Sequence, residues 1–146
     1  MNKYIFIDRD GTLIEDANYL SSVNDIVFIE NVFTALKSLI NEKYEIVIVT
    51  NQSGIGRGFF TLKQFQIIND EIINILGIND VKIKETLFCP HKPSMNCECR
   101  KPKNGLFKNF QKNNLIDYKN SWMIGDKISD VEFGIASNLN NILFDR

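Results

Sequence analysis

Proline occurs three times, cysteine three times, and histidine and tryptophan once each in 146 residues. With so little proline and no internal repeat, no linker or low-complexity tract divides the chain, and a single domain over residues 1–146 is expected. A chain of that length buries roughly 70% of the surface it would expose unfolded, so it needs no disulfide staples. Three cysteines are in any case an odd number for a disulfide framework. Neither sign of charge is in surplus: a formal net charge of -1 supplies no general field for nucleic acid or an anionic membrane, so any bound anion must be met locally. One lysine precedes a short apolar run that ends in charge, which suits neither a signal peptide nor a spanning helix. A cytoplasmic monomer with no membrane or nucleic-acid partner is the expectation.

Tyr4-Ile5-Phe6-Ile7 is apolar at every position, as in a strand buried on both faces, and it stops at Asp8. Asp10 follows, and Gly11 lets the backbone turn and approach a ligand closely. Two carboxylates so near each other repel unless they share a cation or a proton. The pair therefore suggests a divalent metal, with one acid free to be a nucleophile or to move protons. A turn with two solvated acids is the plain alternative. Ile46-Val47-Ile48-Val49 repeats the design and ends in the polar cluster Thr50-Asn51-Gln52-Ser53, followed by a glycine-rich loop over 54–58. Ser121-Trp122-Met123-Ile124 does so again and ends in Gly125-Asp126.

Helical patterns separate these strands. Val32, Leu36, Leu39 and Ile40 repeat at helical spacing. Thr61 is placed to cap a helix whose face is Phe65, Ile68, Ile72, Ile75 and Leu76, with Gly77 closing it. Ile83 to Phe88 reads as another strand, Leu106, Phe107 and Phe110 as a short helix, Ile128 to Leu139 as a longer one, and Ile142 to Phe144 as a last strand. Alternation throughout predicts an α/β fold with a parallel sheet covered on both faces, in which ligands bind at the carboxyl ends of the strands. Asp8, Thr50 and Asp126 all fall there. Leu13 to Asn24 is polar and aperiodic, a loop or small flap too short for an inserted domain.

All three cysteines and the sole histidine lie in one segment, 89–99. Cys89-x-His91-x5-Cys97-x-Cys99 supplies three thiolates and one imidazole, the set for four-coordinate structural zinc with no open position. Reduced cysteines without metal are the alternative.

Phe6-Ile7-Asp8-Arg9-Asp10-Gly11-Thr12-Leu13-Ile14 resembles the first motif of the haloacid dehalogenase (HAD) phosphatases. Asp8/Asp10, Thr50, Lys101 and Asp126/Asp130 follow the order of that superfamily's four motifs across nearly the whole chain. The resemblance implies a Rossmann-like HAD fold, three layers α/β/α around a central parallel sheet, with no inserted cap domain. It implies a phosphatase that works through an aspartyl phosphate, with Asp8 as nucleophile and Asp10 as acid and base. Magnesium would be held by the Asp8 carboxylate, the Asp10 carbonyl and Asp126. Thr50 and Lys101 would hold the phosphate oxygens, and Asp130 would order the metal's water or cap its helix. Asp16, Ala17, Asn18 and Tyr19 in the flap, Asn51, Gln52, Ser53, Arg100 and Lys127 would meet the substrate, a small phosphorylated sugar or metabolite.

The zinc loop is similar to that of the branch holding heptose 1,7-bisphosphate and histidinol-phosphate phosphatases. Ser53 and Arg57 resemble the heptose side, whereas the five-residue gap between His91 and Cys97 resembles the histidinol side. Removal of the C7 phosphate from D-glycero-D-manno-heptose 1,7-bisphosphate is the expected reaction, because Ser53 and Arg57 lie nearer the place of a sugar. Histidinol phosphate is the alternative. Polynucleotide 3'-phosphatases of the superfamily share the Thr-Asn-Gln-x-Gly-Ile-Gly-Arg-Gly pattern, and a zinc-stiffened binding module without catalysis is the non-enzyme reading.

Overall fold

A computed structural model describes residues 1–145. Five strands, β1 (Lys3–Ile7), β2 (Tyr44–Asn51), β3 (Ile83–Cys89), β4 (Trp122–Gly125) and β5 (Asn140–Leu143), form one parallel sheet in the order β3-β2-β1-β4-β5. Helices α1 (Val32–Asn41), α2 (Ser53–Gly56), α3 (Leu62–Ile78), α4 (Gly105–Gln111) and α5 (Ile128–Ala136) occupy the connections. Successive strands move outward from β1 to β3, and the chain then returns to place β4 on the other side of β1. The carboxyl ends of β1 and β4 thus border the point where strand order reverses, the place where sheets of this kind leave a crevice.

Alternation along the strands builds two cores. Ile5, Ile7, Ile46 and Ile48 point to one face and pack with Leu36 of α1 and Ile68, Ile72 and Leu76 of α3. Tyr4, Phe6, Val47 and Val49 point to the other, where Phe107 and Phe110 of α4 and Phe133 of α5 cover them. The second core is aromatic: Phe107 meets Phe6 edge-on at 5.3 Å, and Phe110 meets Tyr4 and Phe6 at 5.2 and 5.5 Å. This is the three-layer architecture, a parallel sheet covered on both faces, that the alternation of elements predicts.

Several boundaries differ from expectation. Thr61 caps α3 as predicted, in a reciprocal box with Gln64, yet the helix runs past Gly77. Asn79 ends it by donating to the Ile75 and Leu76 carbonyls, and Asp80 rather than glycine takes the left-handed turn, with φ 63°. The glycine-rich loop after β2 contains the single-turn α2, and β5 starts two residues before the predicted Ile142. Between β1 and α1 the chain forms only a 3-10 turn at Val23–Asp25 and isolated bridges from Ile14 to Asp10 and Phe28. No cap domain stands there. Among the described residues no helix is long and apolar enough to cross a membrane.

The aromatic core yields a direct test. Phe107→Ala empties a site 2% exposed between the sheet and α5, and should lower unfolding free energy by about 3–5 kcal/mol in urea titrations; a loss below about 1 kcal/mol would show that this core carries little of the fold.

Candidate active site

Asp8 is the first residue past β1, and its amide extends the β1–β4 ladder by donating to the Ile124 carbonyl at 2.9 Å. The buried carboxylate meets Lys101, which the chain delivers from the loop after β3. Lys101 is 4% exposed, and its ammonium donates to Asp8 Oδ1 at 2.9 Å, Asp130 Oδ1 at 2.7 Å and the Val49 carbonyl at 2.7 Å. Three donors thus have three acceptors. Burial by itself would lower the lysine; the two carboxylates outweigh it and keep it above its ordinary value. Asp130 also accepts from the Lys127 amide at 3.1 Å, which caps α5 as anticipated. Its bond to Lys101 was not foreseen from sequence, because nothing in the spacing of the two motifs reveals it.

Asp10 stands beside this cluster in a different net. Arg9 grips it with Nε to Oδ2 at 3.0 Å and Nη2 to Oδ1 at 3.1 Å, and Gln52 Nε2 adds a bond to Oδ2 at 2.9 Å. Gln52 also donates to Thr50 Oγ1 at 2.8 Å, tying the end of β2 to the proposed acid. Arg9 is 1% exposed, a burial that sequence reasoning missed: an arginine between two aspartates reads as surface charge unless the fold supplies it a pocket.

Carboxylate oxygens of Asp8, Asp126 and Asp130 lie within 4.8 Å of one another, and Lys101 is the cation bonded to two of the three. Asp126 Oδ1 is buried with no hydrogen-bond partner. An orphaned carboxylate oxygen in an acid-rich buried corner fits a divalent cation. Gly11 makes the corner possible: its φ is +92°, and a Cβ there would strike the Asp126 carboxylate. Burial pushes the Asp8 carboxyl up to about 7; Lys101 opposes that shift and Asp130 adds to it.

Above this floor opens a cleft of about 470 Å³. Asp10, Asp16, Asn18, Tyr19, Asn51, Gln52, Ser53, Arg100, Lys101 and Lys127 line it, so nearly every residue expected to meet substrate is there. Ala17 is not among the lining residues, while Leu20, Arg57, Pro102 and Ser129 are. Asp8 and Thr50 lie buried beneath. The flap is held by packing: Tyr19 stacks edge-on against Phe59 at 4.8 Å, and Arg57 lies over the Tyr19 ring at 6.0 Å while donating to Ser53 Oγ at 3.2 Å. Arg100 Nη1 is buried without a partner on the cleft wall.

The second cluster is the loop that carries Arg100 and Lys101. Donor atoms of Cys89, His91, Cys97 and Cys99 lie within 4.8 Å of one another, with Cys89 Sγ 3.5 Å from His91 Nδ1, 3.5 Å from Cys97 Sγ and 3.1 Å from Cys99 Sγ. Tetrahedral zinc with bonds of about 2.3 Å to sulfur and 2.0–2.1 Å to nitrogen separates its ligand atoms by roughly 3.5–3.8 Å, so slight expansion admits the ion. Burial raises Cys89 and Cys99. Burial also opposes ionisation of Cys97, but bonds from Cys89 and from the Cys99 and Arg100 backbone outweigh it and hold that thiol at about 6. The loop is fastened on two sides: Gln52 N donates to the Cys89 carbonyl at 2.7 Å, Gly56 N to the Pro90 carbonyl at 2.8 Å, and Gly105 N to the Glu98 carbonyl at 2.9 Å.

Residues 3–137 match the polynucleotide kinase 3 phosphatase family. The chain belongs to that family. D-glycero-beta-D-manno-heptose-1,7-bisphosphate 7-phosphatase of Haemophilus influenzae is 39% identical over 150 residues, covering 98% of this chain and 82% of the relative. Among solved structures, the D,D-heptose 1,7-bisphosphate phosphatase of B. bronchiseptica, complexed with magnesium and phosphate, superposes with a TM-score of 0.88 at 26% identity, over 95% of this chain and 78% of that one. A HAD-like phosphatase from Mesorhizobium loti gives 0.86 at 30% identity, over 94% and 69%. The family member described here is accordingly a HAD-type phosphatase, a phosphoric monoester hydrolase, as its four motifs implied.

The raised Asp8 value makes stability depend on pH. Because the folded value lies above the ordinary 3.8, the stability linked to protonated Asp8 is complete below pH 3.8 and is lost as pH rises through about 7. In magnesium-free buffer, Asp8→Asn should therefore gain stability relative to the unmodified protein between pH 4.5 and pH 8, read as a growing gap in urea midpoints. A gap independent of pH would contradict burial as the cause.

Proposed function

We propose that this phosphatase removes the C7 phosphate of D-glycero-D-manno-heptose 1,7-bisphosphate through an aspartyl phosphate on Asp8. The observation that carries the reading is the charge layout of the cleft: buried carboxylates at its floor and Arg57, Arg100 and Lys127 along its walls. One end suits a phosphoryl group that reacts, the other a second phosphate that is only held. The names and identities of the Haemophilus and B. bronchiseptica proteins support this choice of substrate.

In the first half-reaction Asp8 attacks phosphorus in line, a bond from its carboxylate oxygen forms, and the bond from phosphorus to the C7 oxygen breaks. Asp10 delivers its proton to that oxygen as it leaves. In the second half-reaction Asp10 takes a proton from water, the water oxygen bonds to phosphorus, and the bond to Asp8 breaks to release inorganic phosphate. One carboxyl serves both steps. Lys101 keeps Asp8 in place, and the non-bridging oxygens fall to Thr50 and Lys101, the ammonium exchanging one of its three present bonds for a phosphate oxygen. The Asp8 carboxylate, the Asp10 carbonyl and Asp126 would hold magnesium, which would offset the repulsion between an anionic nucleophile and an anionic phosphate. Cys89, His91, Cys97 and Cys99 would hold a structural zinc, which would stiffen the loop that presents Arg100 and Lys101. The small cleft and the net charge of -1 favour a small metabolite over a nucleic-acid strand, and a monomer suffices for every role assigned.

Phosphate release should be fastest, in kcat/KM, with heptose 1,7-bisphosphate when compared with histidinol phosphate, fructose 1,6-bisphosphate and a 3'-phosphorylated oligonucleotide. A better rate on any of the other three overturns the substrate. Asp8→Asn should lower turnover by at least about 10³-fold; magnesium-dependent release that survives it removes Asp8 as nucleophile.

For zinc, elemental analysis should find about one equivalent per chain, lost in Cys97→Ser. A metal-free preparation that remains folded and fully active would end the structural-zinc reading.

A further inference from the structure

α3 buries an apolar stripe of Phe65, Ile68, Ile72 and Leu76, and in the middle of it lies Asn69, 5% exposed. Asparagine is a poor helix former, and a buried amide is costly unless it is hydrogen-bonded. Its partners explain its presence. Asn69 Oδ1 accepts from Arg9 Nη1 at 3.4 Å, and Asn69 Nδ2 donates to Thr86 Oγ1 on β3 at 3.0 Å. Arg9, stacked over Phe65 at 5.5 Å, spends its other two contacts on both oxygens of Asp10. A continuous polar line thus runs from Thr86 through Asn69 and Arg9 to Asp10, through an otherwise apolar layer.

We infer that Asn69 is a positioning residue for the proton-transferring carboxyl: anchored by Thr86, it fixes the plane of the Arg9 guanidinium, and that plane sets the orientation of Asp10. Bidentate contact from a planar, five-donor fork constrains a carboxylate far more than a single bond does. Oδ2 already accepts two donors, from Arg9 and Gln52, whereas Oδ1 accepts one. The orientation therefore leaves Oδ1 with the freer lone pair, as the oxygen that hands a proton to the departing alkoxide. The inference rests on the proposed role of Asp10.

The test compares two leaving groups. An alkoxide needs the proton, whereas p-nitrophenolate departs without it, and kcat/KM reports steps only through formation of the aspartyl phosphate. Asn69→Leu should lower kcat/KM for heptose 1,7-bisphosphate by about tenfold, mostly through kcat, and change that for p-nitrophenyl phosphate by less than about twofold. An equal fall on both substrates, or no fall on either, overturns the inference. Thr86→Val, which removes only the anchor at the half-buried end, should shift the two substrates in the same unequal way and carries the test if Asn69→Leu does not fold. Asp10→Asn run alongside separates the readings. If it retains turnover of the bisphosphate, the proton-transfer role itself falls; if it is inactive while the Asn69 and Thr86 variants match the unmodified protein, only the positioning role falls.

Discussion

A single buried ammonium group holds the catalytic corner together. Lys101 comes from a loop, yet its Nζ lies among two strands and the start of a helix, bonded to Asp8 after β1, to the Val49 carbonyl in β2 and to Asp130 in α5. Burying a charge is favourable only when every donor is met and an opposite charge is close. Both conditions hold, and each fixes a different segment. Loss of the ammonium would leave the carboxylates of Asp8 and Asp130 facing one another with Asp126 nearby. The corner is therefore balanced between too many acids and one cation, which is the electrostatic condition for receiving another cation and then an anion.

The backbone around Lys101 is fixed as firmly as its side chain. Asn51 holds it like a base pair, donating from Nδ2 to the Lys101 carbonyl at 3.2 Å and accepting from the Lys101 amide at 2.9 Å. Gln52 and Gly56 fasten the start of the cysteine loop through Cys89 and Pro90. A Cβ on Gly56 would press on the Pro90 carbonyl and Lys92 amide, so glycine there permits the close approach of the two loops. The Thr50–Gly56 segment and the cysteine loop consequently form one unit. That coupling gives a physical reason for the cysteine–histidine cluster to sit beside the carboxylate cluster: any slack in the loop reaches Lys101, and through it Asp8.

The fold and the convergence of the candidate residues were legible because they are written in local patterns. Four apolar residues ending in Asp8, and again before Thr50 and Asp126, announce buried strands whose ends carry chemistry, and the helix stripes between them leave a parallel sheet as the consistent packing. The cysteines were legible by their spacing. What escaped was pairing across the fold. Nothing near Arg9 indicates that Asn69, sixty positions away, gives it a buried partner, and the stripe of α3 reads as plain core when only its apolar members are counted. The end of α3 differs for a local reason: a glycine near a helix end is the usual stop, but the helix continues to Ile78, Asn79 caps it through the Ile75 and Leu76 carbonyls, and Asp80 takes the αL position.

Substrate choice follows a different logic from chemistry in this architecture. The strand ends are rigid, buried and shared with whatever phosphate arrives, so they discriminate little among esters. The walls are built from four segments: the flap with Tyr19, the turn with Ser53 and Arg57, the segment of Arg100, and the start of α5 with Lys127 and Ser129. With no cap domain to close over the ligand, the flap's grip comes from Tyr19 on Phe59 and Arg57 over Tyr19, contacts between side chains that are largely solvent-exposed. Arg57 spans two loops at once, joined to Ser53 by a hydrogen bond and to Tyr19 by its charge over the ring. An anion that engaged the Arg57 guanidinium would therefore compete with its contacts to both loops.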